Sequence, residues 1–177
     1  GSESDNWAIR LALHQNRHIG KHIITTAVEH SAILETCKAL EQEGCSVTYL
    51  KPDKSGGITA SQVEDALRED TALVTMMLVN NETGCIFPVG EVAQLLQAKG
   101  SRALLHTDAV QAFLKLPFRA DALGADLISV SGHKLGAPKG IGGLYLGPRV
   151  RAPQPLIHGG GQERGLRSGT EATGQIA

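Results

Sequence analysis

The stretch Asp126-Leu-Ile-Ser-Val-Ser-Gly-His-Lys134-Leu-Gly-Ala-Pro-Lys-Gly-Ile-Gly-Gly-Leu-Tyr145 holds one apolar run, Leu127 to Val130, that empties into small and polar residues. Glycines and Pro138 then break regular structure, so the run reads as a buried strand ending in a rigid turn. A surface lysine is ordinarily solvated charge. One held at a strand end among small residues can be desolvated and become a nucleophilic amine that forms Schiff bases, and Lys134 has that setting. Ser131 and His133 offer donors to an anion, and glycines such as Gly132 let backbone approach a ligand closely. The local pattern suits a phosphate-bearing aldehyde; it also suits a plain strand followed by a Gly-rich loop.

The same alternation runs outward through the chain. Ser2 to about His18 predicts a helix with small polar and acidic residues at its amino end. His22–Val28 predicts a strand, Ser31–Glu43 a helix with Ile33, Leu34, Cys37 and Leu40 at helical spacing, and Gly44 its stop. Ser46–Leu50 is the next strand, and Lys51 to Gly57 a turn. Thr59 with Gln62 is a capping-box start for a helix to about Glu69. Thr71–Val79 predicts a buried strand, Pro88 opens a helix to Lys99, Arg102–His106 is a strand, and a short helix follows Asp108 through Phe113. Asp126–Val130 and Gly140–Leu146 are the last two strands.

Strands alternating with helices argue an α/β fold with a mainly parallel sheet covered on both faces. The short link from Lys134 to Gly140 allows an antiparallel last strand, since a parallel return needs a longer crossover. Residues 1–150 form the expected main domain. Residues 151–177, with Pro153, Pro155 and Gly159 to Gly161, read as an irregular segment continuing it.

Bulk properties narrow the classes. Hydrophobic residues make up 41% and charged ones 20% of the chain, and 17 Lys+Arg against 18 Asp+Glu leave no charge excess to recruit nucleic acid or a membrane surface. No apolar run approaches the roughly 20 residues of a membrane span. Cys37, Cys45 and Cys85 are odd in number and lack C-x-x-C spacing, which favours a reducing, cytoplasmic setting over a disulfide framework or zinc site. Of 21 glycines, 11 fall between Gly132 and Gly169, so the excess is local and points to a site.

In an open parallel sheet, ligands bind beyond the carboxyl ends of the strands. Those ends carry Glu29-His30, Asn80-Asn81-Glu82, Asp108 with Gln111, and Ser131-Gly132-His133-Lys134. Each has a plainer reading: His30 as a helix-start or core histidine, Asn81 to Gly84 as a turn, Asp108 as a helix cap. Together they suit pyridoxal 5'-phosphate chemistry, in which a lysine holds the cofactor and an aspartate pairs with the pyridinium nitrogen. Lys134 and Asp108 supply that pair. His30 can handle protons over the ring, Asn81 and Gln111 can bond its hydroxyl side, and Ser131 and His133 can reach the phosphate.

At these residues the chain resembles the large domain of cysteine desulfurases, in the class V aminotransferase group of fold-type I pyridoxal phosphate enzymes. The matching segments are Ser4-Asp-Asn6, Glu29-His30, Val79-Asn-Asn-Glu-Thr-Gly84, His106-Thr-Asp-Ala-Val-Gln111, Ser131-Gly-His-Lys134, Pro138-Lys-Gly140 and Gly159-Gly-Gly-Gln-Glu-Arg-Gly-Leu-Arg-Ser-Gly-Thr170. The resemblance implies a seven-stranded type of sheet. It makes Lys134 the Schiff-base lysine, Asp108 the pyridinium partner and His30 the acid–base group. Gly1 and Ser2 would hold phosphate at a helix start, and Thr170 would reach the phosphate of a partner subunit in a homodimer. The implied reaction converts L-cysteine to alanine, leaving an enzyme persulfide that passes to an iron–sulfur scaffold or another sulfur acceptor.

The family continues past the position of Ala177 into a small domain bearing the nucleophilic cysteine and a substrate-carboxylate arginine, and also begins earlier; the sequence is expected to be truncated at both ends. None of Cys37, Cys45 and Cys85 matches the nucleophile loop, so the chain alone is expected not to turn over cysteine. Three readings follow: a desulfurase large-domain fragment, a noncatalytic remnant serving dimerisation or interaction, or another class V enzyme such as a selenocysteine lyase or an aminotransferase.

Overall fold

Neighbouring apolar residues in four strands point to opposite faces, and this sets the layers. In a computed structural model describing residues 1–177, Ile23, Leu73, Leu104 and Leu127 join one core, while their neighbours Ile24, Val74, Leu105 and Ile128 join another. The period-2 pleat requires that split of any strand buried on both sides. The strands are β1 (His22–Thr26), β2 (Ser46–Leu50), β3 (Thr71–Thr75), β4 (Leu104–Asp108), β5 (Leu127–Ser131) and β6 (Gly142–Leu146). They form one sheet in the order β2-β1-β3-β4-β5-β6. All neighbours are parallel except β5 and β6, which are antiparallel as the short connection requires. Six strands are present, not seven; the number seven came from the resemblance, and the six apolar runs are the six strands.

One face is covered by α1 (Ser2–Gln15) and α2 (Ser31–Gln42), the other by α3 (Ala60–Ala66) and α4 (Val89–Ala98), with short α5 (Ala120–Leu123) beside α4. Ala8, Ile9, Leu11 and Ala12 of α1 meet Ile33, Cys37 and Leu40 of α2 over the sheet. Gly44, at φ +88°, ends α2 by entering the left-handed region. Thr59 and Gln62 form the reciprocal capping box at the start of α3. No helix is long and apolar enough to cross a membrane.

Local bonds end several elements earlier than the pattern predicts. β3 stops at Thr75 because Met77 N–H leaves the ladder and donates to the Glu29 carboxyl (3.0 Å). α3 stops at Ala66, where Leu67 turns extended and Arg68 N–H goes to Thr71 Oγ1 (2.9 Å). The helix expected after Asp108 is instead a run of turns: Asp108 is the last residue of β4, and Leu114 adopts φ +59°.

Residues past Leu146 run back along α1. Trp7 Nε1 donates to Gln154 O (2.7 Å), Gln15 exchanges bonds with the backbone of Arg149 and Arg151, and Arg167 pairs with Glu3 (2.7 Å). A kinked turn at Gln162–Gly165, with Glu163 and Arg164 in the left-handed region, and α6 (Thr173–Ile176) complete this segment.

Candidate active site

A cleft of about 1040 Å³ opens at the carboxyl ends of β1, β3, β4 and β5, beside the amino end of α1. Its wall includes Gly1, Ser2, His30, Asn81, Asp108, Gln111, Ser131, His133, Lys134 and Thr170. Every side chain or helix-start residue expected at the site therefore converges there. Gly132 does not. It is buried behind the cleft, donating its N–H to Ile141 O (3.0 Å), and a Cβ there would run into Ile141 Cγ2. Glycine suits this close chain crossing, which gives the position a packing role.

Asp108 ends β4 on the face that also carries Leu104 and His106. Only 6% of it is exposed. Val110 N–H donates to its Oδ1 (2.9 Å), and burial raises its proton affinity. An approaching cation reverses that tendency, since an opposite charge favours the ionised form.

His30 satisfies both of its readings. Its Nδ1 accepts from Ala32 N–H (3.1 Å), capping α2, while the ring borders the cleft. With Nδ1 held as acceptor, the neutral ring carries its proton on Nε2. Two adjacent asparagines divide their tasks similarly. Asn80 is buried and builds the turn, donating to Val28 O (2.9 Å) and accepting from Glu82 N, Thr83 N and Thr83 Oγ1. Asn81, next in the chain, is left exposed on the cleft wall.

The start of α1, the end of β5 and β6 meet closely. A Cβ at Gly1 would lie 3.6 Å from Ser131 Cβ, and one at Gly142 would lie 3.1 Å from Gly1 N. Ser131 Oγ is bonded to His133 Nδ1 (2.8 Å). This cup combines free helix-start amides with a hydroxyl and an imidazole, a set suited to an anion. Lys134 ends the 3-10 turn Gly132–Lys134 and stands exposed on the rim, not desolvated as its strand-end position suggested. Gln111 Oε1 accepts from Lys115 Nζ (2.9 Å), leaving its amide nitrogen for the cleft. Thr170 borders the cleft of its own chain.

Sequence reading assigned no role to two carboxyls that the fold buries, Glu29 and Asp5. Glu29 packs under the cleft, accepting from Met77 N–H and Thr26 Oγ1 (2.7 Å), and burial pushes it up to about 8. Asp5 lines the cleft from α1 at 1% exposure, and burial, with Asp108 second, pushes it up to about 7. A signal for Asp5 existed: it shares a helical face with Ala8, Ile9 and Ala12, so an acid sits on the apolar stripe.

The three thiols lie away from this chemistry. Cys37 is buried in α2 with its thiol pushed up to about 12 by burial, and burial also raises Cys45. Cys85 Sγ lies 3.8 Å from Ser55 O, and none of the three lines the cleft.

Comparison with known proteins gives one lineage. The chain is 50% identical over 177 residues to a cysteine desulfurase IscS of Glaesserella parasuis, and 49% identical to one of Shewanella pealeana, covering 99% of this chain and 43% of each relative. It thus spans less than half the length of these relatives. Among solved structures it is similar to one titled NifS-like protein, with TM-score 0.93 and 42% identity over 99% of this chain and 48% of that one. A second is described as SspA in complex with cysteine, with TM-score 0.91 and 45% identity over 99% and 50% of the two chains. The family description Aminotransferase class-V matches residues 1–175, and the chain belongs to that family.

Proposed function

We propose that this chain is the cofactor-binding part of a pyridoxal phosphate-dependent cysteine desulfurase. The observation that carries the reading is the convergence of a buried aspartate, a lysine, an imidazole and an anion cup on one cleft at the sheet's carboxyl edge. Desulfurase relatives at about half identity favour that activity over other class V reactions.

The residues fit the cofactor. The cup at Gly1, Ser2, Ser131 and His133 suits a phosphate. Asp108 offers a buried carboxyl with a single intramolecular donor, suited to a protonated ring nitrogen. Pyridoxal phosphate, when bound, supplies an electron-withdrawing ring that acidifies the Cα–H of an attached amino acid.

Around it the chain's residues divide the work. Lys134 provides the primary amine that tethers cofactor at the rim. Asp108, as a carboxylate, would hold the ring-nitrogen proton in place. His30, its Nδ1 fixed by Ala32, moves a proton at Nε2. Asn81 and Gln111 orient the ring oxygen. L-cysteine is the proposed substrate, in keeping with a solved relative described as in complex with cysteine.

No cysteine of this chain lines the cleft, so the sulfur-accepting thiol of the proposed reaction is not one of these three. The chain by itself then holds cofactor without completing sulfur transfer. The same reading includes residues 1–150 as one cofactor-binding unit with 151–177 as its continuation, a homodimer with Thr170 near the subunit boundary, a separate sulfur acceptor or scaffold, and a cytoplasmic setting.

The test is the visible absorption spectrum of the chain with added pyridoxal phosphate, beside Lys134→Ala. A borohydride-reducible band that requires Lys134 supports the reading. A folded chain with no band overturns it. Alanine and sulfide release from L-cysteine should be absent, and turnover abolished by Lys134→Ala would refute the statement about sulfur transfer.

A further inference from the structure

Asp5 is 1% exposed, and one of its two carboxyl oxygens has no partner. Its Oδ1 lies 3.8 Å from His106 Nε2, beyond hydrogen-bond reach, and has no other partner. His106 is committed across the sheet, with Nδ1 to Thr75 Oγ1 (2.8 Å) and Nε2 to Ser129 Oγ (3.0 Å). Full burial pushes its imidazole down to about 3, so at neutral pH it carries no charge to meet a carboxylate. The contact is therefore not an ion pair. Of the other groups acting on this pocket, Ser129 and the amino terminus favour an anion at Asp5 and Asp108 opposes it; Val110, His30 and the amino terminus favour an anion at Asp108, and both aspartates raise Glu29.

The two carboxyls on either side of this pocket differ in one respect that decides where charge resides. Asp108 accepts Val110 N–H at 2.9 Å and borders the open cleft. Asp5 is more deeply enclosed, with one oxygen bare. Asp5 reaches to 3.8 Å of His106, which stands two residues before Asp108 on the same face of β4, and both carboxyls line the same cleft. Two like charges so placed and so buried do not both form readily, and the proton stays where the anion is least supported.

We infer that Asp5 is a positioning residue for Asp108: it keeps the pair's one proton on the helix side, so that the single negative charge stands at Asp108, facing the cleft. The consequence rests on the proposed cofactor reading. A cationic ring nitrogen arriving at Asp108 meets a carboxylate already ionised, and no proton has to leave the site.

The test is carbon-13 carboxyl NMR of aspartate-labelled chain without cofactor, titrated in wild type, Asp5→Asn and Asp108→Asn. One aspartate should keep its proton to about pH 7 and vanish from the spectrum of Asp5→Asn. Asp108 should ionise earlier in wild type, and removing either carboxyl should lower the other's midpoint by about one pH unit. Asp108 ionising after Asp5, or midpoints that ignore the partner's removal, would overturn the inference. A carboxyl serving only to pack α1 would not move Asp108's titration. If Asp5→Asn fails to fold, the Asp5 signal in Asp108→Asn decides alone. Because cofactor is left out, a chain that never binds pyridoxal phosphate sinks the proposed function without touching this result, and uncoupled carboxyls sink the pair without touching the spectrum.

Discussion

The two ends of the sheet are finished differently. At the amino end, beneath the far end of α1, buried polar groups are closed off. Asn16, 4% exposed, donates both amide hydrogens, to Ala72 O (2.8 Å) and Arg102 O (3.1 Å). His22 is bonded on both ring nitrogens, to Thr71 Oγ1 and Thr48 Oγ1. Gly20 packs directly on Asp70. At the carboxyl end, under the other end of the same helix, Asp5 is left with an unpaired oxygen beside a large cleft. The contrast teaches which end serves stability. A satisfied polar group fixes structure, whereas an unsatisfied one in a buried acid is tolerated where charge is to be placed.

If this division is right, the largest loss of stability comes from the closed end. In Gly20→Ala the new Cβ would stand 2.5 Å from Asp70 Cβ and 2.8 Å from its Cα, and backbone must move. A loss of about 3 kcal/mol is expected in the urea midpoint. A Gly20→Ala chain as stable as wild type would break the comparison at once.

Asn16→Leu should follow at about 2 kcal/mol, since it strands the buried Ala72 carbonyl and the part-buried Arg102 carbonyl. Its cofactor spectrum should match wild type wherever the chain is folded.

The open end should respond with the opposite sign. Folding raises Asp5 from an ordinary carboxylate to about 7. The folded chain therefore binds the extra proton, and this contribution is complete below about pH 4 and lost as pH rises through 7. Asp5→Asn removes that dependence. Above pH 7 it should be more stable than wild type by about 2 kcal/mol, less than the full linkage value because the carboxamide inherits a missing partner. Urea melts at pH 5 and 8 measure the difference; a variant destabilised equally at both would show Asp5 to be ordinary packing.

The smallest effect sharpens the boundary between cap and catalyst. His30→Ala should cost about 1 kcal/mol through the lost cap on α2. His30→Asn should recover that stability, because its oxygen can accept from Ala32 N–H, while leaving no group to move a proton. Thermal melts and proton exchange at a bound amino acid's Cα separate the two roles.

Much of the fold was legible because its signals are local. Paired apolar residues such as Ile23-Ile24 and Leu104-Leu105 mark strands buried on both faces, Thr59 with Gln62 marks a helix start, and the short span after Lys134 allows an antiparallel last strand. His30, Asn81, Asp108 and Lys134 were legible because each stands at or just past the end of a strand. The lapses have a common origin in partners far away in sequence. Met77 looks like strand until Glu29, distant in the chain, takes its N–H. Asp108 looks like a helix cap until register with Ser129 keeps it in β4. The packing of Gly132 against Ile141 is likewise invisible in the local pattern.

By itself, then, the sequence determined the layers, the strand directions and the cast of the cleft, since periodicity, caps and turns depend on neighbours along the chain. Tertiary structure alone decided that Asp5 and Asp108 come together at one cleft with Glu29 buried beneath it, that His106 is a neutral strut, and that Lys134 stands at the rim. Proton affinity is set by distance and solvent access in three dimensions, and neither is written in the order of the residues.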